Sequence, residues 1–184
     1  VLFAVFFTGS SVMTALITNF IPILGDRGYP ATQAAAMAGS FGLAVIAGRV
    51  MVGFLIDRIW APLVGCTMFL VAAAAIAALG AINLGTECLV VTIILTGLAA
   101  GAEVDLMGYL VARYFGLRHF GMIYAGIYMG FALGPGLTTP LFGAGRDALG
   151  TYAPGLYVAA IALAGAALLL PTLGRYPEGV GVAR

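Results

Sequence analysis

Apolar residues run along the chain in six long blocks, about 1–24, 33–56, 61–82, 89–112, 120–143 and 155–173. Each is close to the ~20 residues an α-helix needs to cross a bilayer. Between them stand short segments rich in Gly, Pro and charge: LGDRGYPAT, DRIWAP, INLGTE, RYFGLRH and GRDALGTYAP. Uninterrupted runs such as VAAAAIAAL lack any period-two alternation, which excludes a transmembrane β-barrel. The pattern predicts an all-α membrane protein, a single bundle of six transmembrane helices over 1–184.

Polar residues are unevenly shared among these spans. The first carries Thr8, Ser11, Thr14, Thr18 and Asn19, which at 100° per residue fall within a sector of about 140°. The second carries Arg49, the fourth Glu103 and Asp105, and the fifth Tyr124, Tyr128 and Thr138. The third and sixth are nearly pure Ala, Leu, Val and Ile. Polar faces within a membrane turn toward protein or a water-filled cavity. Spans one, two, four and five are therefore expected to surround something, and spans three and six to face lipid.

That three-plus-three division has a second sign. Gly53–Asp57 (GFLID) ends the second span and Gly143–Asp147 (GAGRD) ends the fifth, both reading G-x-x-x-D and set ninety residues apart. WAP and YAP follow shortly after them. Three spans separate the copies, so they lie on opposite sides of the membrane. The expected architecture is two inverted three-helix repeats, about 1–82 and 89–173, as in secondary transporters.

Composition narrows the functional classes. The chain is 62% hydrophobic and 8% charged, where a soluble domain carries roughly a quarter of its residues as charges. Its net charge of +1 supplies no basic patch for nucleic acid. Cys66, Cys88 and the single His119 make no metal-ligand spacing, so neither a metal nor another cofactor is expected. No Ser/His/Asp set supports an enzyme. With the first residue cytoplasmic, Arg49, Arg58, Arg113, Arg118, Arg175 and Arg184 fall inside, and only Arg27 and Arg146 outside. That satisfies the positive-inside rule and predicts a cytoplasmic carboxy terminus. The chain opens on Val1 within an apolar run, without a basic n-region, and reads as part of something longer.

GRVMVGFLIDR resembles the major facilitator signature G-x-x-x-D-R, found between the second and third helices of a six-helix half. GAEVDLMGYLVARYFGLRHFGMIYAG and GPGLTTPLFGAGRDALGTYAPGLY are similar to the last three helices of bacterial members. Because the chain ends just after its sixth span, the resemblance is to the carboxy-terminal half, helices seven to twelve. It implies a transporter in a bacterial inner membrane, working with an amino-terminal six-helix half and moving a small solute by alternating access. A drug or sugar is the alternative cargo, and an oligomeric six-helix channel the alternative architecture.

Within the superfamily the monocarboxylate and oxalate/formate porters look nearest. Those families place an arginine four residues before a glycine in the eighth helix, where it binds the substrate carboxylate; Arg49 and Gly53 match. The chain departs from them elsewhere. Val45 stands where the monocarboxylate porters have an aspartate, and the lysine of the oxalate/formate porters has no counterpart. Ile59, Trp60, Ala61 and Pro62 replace the usual glycine and basic tail after D-R.

Each charge then has an expected task. Arg49 lies eight residues before Asp57, about 12 Å deeper, and needs a partner or an aqueous cavity there. Its planar fork suits a carboxylate, and a structural ion pair is the competing role. Tyr124, Tyr128, Thr14 and Thr18 are the further candidates for solute contact. Gly53, Asp57 and Arg58 resemble a gate, for which Arg113 is the candidate partner. Glu103 and Asp105 lie about 200° apart on a helix, so only one faces inward squarely. A carboxyl in low dielectric tends toward the neutral form, which suits a proton carrier. Gly126, Gly130 and Gly134 recur every four residues, allowing close helix approach, and Gly134, Pro135 and Gly136 form a candidate hinge.

Overall fold

The computed structural model describes residues 1–81 and 85–177. Ile82, the expected end of the third span, and Arg184 lie outside the described residues. Six α-helices follow one another: α1 (Leu2–Asp26), α2 (Ala31–Ile56), α3 (Ala61–Gly80), α4 (Thr86–Phe115), α5 (Phe120–Leu149) and α6 (Ala153–Leu169). All six, the sixth taken through Leu173, are long and apolar enough to cross a membrane, and no strand occurs among the described residues. A short 3-10 turn, Pro171–Leu173, follows α6.

Helices α4 and α5 run on through charged residues expected to lie beyond them. Helix α4 continues through Arg113 to Phe115, and α5 continues through Arg146 and Asp147 to Leu149. Each stops at a glycine with positive φ, Gly116 (73°) and Gly150 (72°), a backbone that side chains with a Cβ avoid. Polar residues at a span's end leave the hydrocarbon without leaving the helix. Pro135 and Pro140 likewise sit inside α5 without ending it, which packed neighbours permit in membrane helices.

Helix pairing has the symmetry that two inverted three-helix repeats would give. Helix α1 packs along α5, α2 along α4, and α3 along α6 and α4. Exchanging the first three helices with the last three turns the α1–α5 pair into α4–α2 and maps α3–α6 onto itself. The ninety-residue offset of the G-x-x-x-D motifs carries Ala44 onto Gly134, and both lie buried in these seams. The fold is an all-α bundle of six helices whose pairing has the symmetry of two inverted three-helix halves.

Glycine makes both seams close. A Cβ on Gly101 would strike the Val45 carbonyl, and one on Gly48 the Leu98 carbonyl. On Gly97 it would sit 2.7 Å from the Ala44 Cβ and 2.8 Å from the Phe41 oxygen. Helices α2 and α4 therefore meet backbone to backbone. Across the other seam a Cβ on Gly130 would strike the Phe3 ring, and one on Gly134 would meet Ser11 Oγ and lie 3.0 Å from the Phe7 oxygen. Thr138 adds a hydrogen bond to the Ser11 carbonyl at 3.3 Å. Gly126 is exposed with nothing within 4 Å of a Cβ, so only the last two of its series pack.

The most open helices are α2 and α5, whereas α3 is largely buried. Polarity alone placed α3 and α6 outermost. The Ala- and Gly-rich α3 packs against α4 and α6 on one side and keeps a stripe of Leu63, Thr67, Leu70, Val71 and Ala74 open on the other. Apolar composition suits helix contact as well as lipid.

Arg27 and Arg146 lie together at one end of the bundle. Arg146 donates to Asp26 through Nη2 at 3.0 Å and Nε at 3.3 Å, while Arg27 donates to the Leu79 and Ala81 carbonyls that end α3. Arg58, Arg113 and Arg175 lie at the opposite end. In a background of Cys66→Ala and Cys88→Ala, cysteines introduced at Arg58 and Arg146 should react with an impermeant maleimide from opposite membrane faces. Labelling from one face would refute the span count.

Candidate functional site

Arg49 is exposed on α2, in a helix that is otherwise apolar over its second half until Asp57. It stands next to Gly48, whose backbone touches α4, so its position along the span is fixed by the glycine seam. Among the described residues it makes no ion pair; the two present both involve Arg146.

The two carboxylates on α4 divide as their spacing requires. Glu103 is 2% exposed, packed where a Cβ on Gly9 of α1 would touch its Oε1 and the Phe69 ring lies alongside. That Oε1 has no hydrogen-bond partner, and an ionised carboxylate without a donor is costly inside a protein. Asp105 is half-buried on the opposite, more open side of α4. One turn on from it, Gly108 receives Tyr124 of α5, whose Cε2 is 3.8 Å from a Cβ built there.

Tyr124 belongs to a ladder along α5. Phe120, Tyr124, Tyr128 and Phe131 stack with centroids 5.3, 5.9 and 5.5 Å apart. Tyr128 is 46% exposed, so it presents a ring edge and hydroxyl outward rather than filling the core. The ladder follows from i, i+4 and i, i+3 spacing on one helix face.

The polar sector of α1 does not act as one surface. Ser11 is buried against Gly134, and Thr8 joins Ser11 and Thr138 on an apolar groove of about 500 Å³ between α1, α5 and α6. Thr18 is exposed, but its hydroxyl donates back to the Thr14 carbonyl at 2.9 Å. Thr14 is half-buried. Asn19 donates to the Ala15 carbonyl at 2.8 Å and accepts from Tyr152.

At the Arg58 end, Gly53, Asp57 and Arg58 are all exposed. Arg113 does not pair with Asp57 in this conformation. Its guanidinium carbon lies 4.6 Å from the centroid of Tyr176 and 5.9 Å from that of Tyr109, and its Nε is buried without a partner. Tyr176 accepts the Ala61 N–H at 3.1 Å, one of the donors a helix start leaves open. Tyr114 donates to the Gly174 carbonyl at 2.6 Å. Burial pushes the Tyr176 phenol above its ordinary range, so it stays a neutral hydroxyl. The segment after α6 thus binds both the start of α3 and the end of α4.

The sequence, which folds into six apolar helices with a G-x-x-x-D-R turn after the second, matches the family model described as Major Facilitator Superfamily over residues 1–182. The chain belongs to the major facilitator superfamily. No curated protein matches it. Membership makes it a multi-pass integral membrane protein of a transporter family. Within that frame, nothing in the sequence pattern announced the Asp26–Arg146 pair or the docking of Tyr176, because each joins residues far apart along the chain. The Gly97-x-x-x-Gly101 spacing on α4 does announce the α2–α4 seam.

Proposed function

We propose that the chain is the carboxy-terminal half of a major facilitator secondary transporter that moves a small organic anion by alternating access. Arg49 carries this reading. A permanently charged guanidinium stands on an apolar α2 about two turns from its Asp57 end, exposed and without an ion pair among the described residues. The open faces of α2 and α5 are where an amino-terminal six-helix half would pack, enclosing Arg49 with the solute. A carboxylate would then be gripped bidentately.

Other residues take supporting parts. Tyr124 and Tyr128 offer rings and hydroxyls beside Asp105 for the body of the solute. Thr14 and Thr18 have a weaker claim, since the Thr18 hydroxyl is spent on its own helix. Glu103, lacking a donor to hold its charge, is the better candidate for carrying a proton, and Asp105 the second. Gly53, Asp57, Arg58 and Arg113 form the gate at the cytoplasmic end of a bacterial inner-membrane protein, and Gly134, Pro135 and Gly136 the hinge. In proteoliposomes holding the complete transporter, an inward proton gradient should drive uptake of labelled monocarboxylates several-fold over the gradient-free rate. Uptake of a neutral sugar or a cationic dye in place of the acid would replace the anion reading.

A further inference from the structure

The segment after α6 touches both Arg113 and the start of α3, just beyond the turn that carries Asp57. A short chain of contacts runs from α4 to the α2–α3 turn. Arg113 stacks on Tyr176 at 4.6 Å, the Tyr176 hydroxyl takes the Ala61 N–H at 3.1 Å, and Ala61 is four residues past Asp57. Tyr114, next to Arg113, sets its ring 5.2 Å from that of Tyr176 at a tilt of 58° and donates to the Gly174 carbonyl. Trp60 and Arg175 complete the corner. The ring face thereby occupies the cation, and the hydroxyl ties that ring to the turn carrying Asp57.

We propose that the Gly174–Tyr176 segment is a strap that keeps Arg113 off Asp57, so that its docking holds this gate unlatched and its release lets the two charges pair. The inference rests on the gate reading of Asp57 and Arg113. Two features favour a removable strap over a permanent part of the core. It is anchored by only a few contacts beyond the last span, and Arg113 Nε is left without a hydrogen bond while the strap is docked. A carboxylate would satisfy that nitrogen with a charge-assisted bond, which an aromatic face cannot. Asp57 is exposed and, among the described residues, without an ion pair. Both groups gain from meeting once the ring leaves. Arg113 is the only cation placed over the Tyr176 ring among the described residues.

A double-mutant cycle in the complete transporter tests this, with uptake rate as the readout. Tyr176→Ala should slow uptake at least threefold by freeing Arg113 to latch on Asp57. Adding Asp57→Asn should return the rate to that of Asp57→Asn alone, since no latch can then form. Tyr176→Phe keeps the ring over Arg113 but loses the hydroxyl tie to Ala61, and should slow uptake less than Tyr176→Ala. Equal slowing by Tyr176→Ala with and without Asp57 overturns the strap, leaving Tyr176 a packing residue. An Asp57→Asn variant indistinguishable from the parent overturns the gate reading itself. If Tyr176→Ala is poorly folded by melting temperature, Arg113→Lys serves instead. It keeps the charge but stacks less well, and should slow uptake only when Asp57 is present; slowing without Asp57 overturns the strap.

Discussion

Arg49→Lys in the complete transporter should lower affinity for anionic solutes more than tenfold while leaving melting temperature near that of the parent. The reasoning starts from geometry. Lysine keeps the positive charge and much of the length but replaces a planar fork by a single ammonium, so one of two parallel hydrogen bonds to a carboxylate is lost. A tenfold loss corresponds to about 1.4 kcal/mol, an ordinary amount for one charge-assisted bond. Stability should not suffer, because Arg49 holds no partner among the described residues whose charge its removal would strand. Had it been half of a buried ion pair, the reverse would hold and folding would fail first. Anion binding and detergent melting measured on the same samples separate the two. Unchanged affinity with a lowered melting temperature would make Arg49 structural.

The largest effect on stability is expected at the α2–α4 seam. Gly101→Leu should destabilise the protein by about 3 kcal/mol or more, at the upper end of what overpacking costs. The reason is what the new side chain would hit. A Cβ at residue 101 would strike the Val45 carbonyl and lie 2.9 Å from its carbon and 3.0 Å from its Cα. Backbone cannot swing aside as a rotamer can, so the two helices must separate. Gly53→Leu on the facing helix is the matched control, since nothing lies within 4 Å of a Cβ there. It should be neutral or slightly stabilising, because leucine is the better helix former. Comparable losses in the two variants, read by denaturant or thermal melting, would show that the seam is not held by backbone contact.

Helix number and order were legible because period and length are local properties of the chain. Span ends near 24, 56 and 112 fell within a few residues of Asp26, Ile56 and Phe115. The sixth end lay past Leu169, because apolar Pro171–Leu173 turns as 3-10. The fifth end was set too early, because Gly143 and Gly145 look like breakers but sit inside a helix that stops only at Gly150. The division between Glu103 and Asp105 followed from 100° per residue. What stayed hidden depends on which helices become neighbours. Ser11 and Thr18 share a helix face by angle, yet one is covered by Gly134 and the other is open. The docking of Tyr176 on Ala61 joins residues 115 apart, beyond anything periodicity records.

The α2–α3 corner has one more property. Trp60 is the only tryptophan in the chain, and it lines a cleft with Gly174, Arg175 and Tyr176 where its indole nitrogen is buried. All indole fluorescence from these 184 residues therefore originates beside the strap. An indole sheltered by a tyrosine and a turn of backbone emits at shorter wavelength than one bathed in water. The emission maximum consequently follows the docking of this segment in unlabelled protein, on the timescale of a stopped-flow trace.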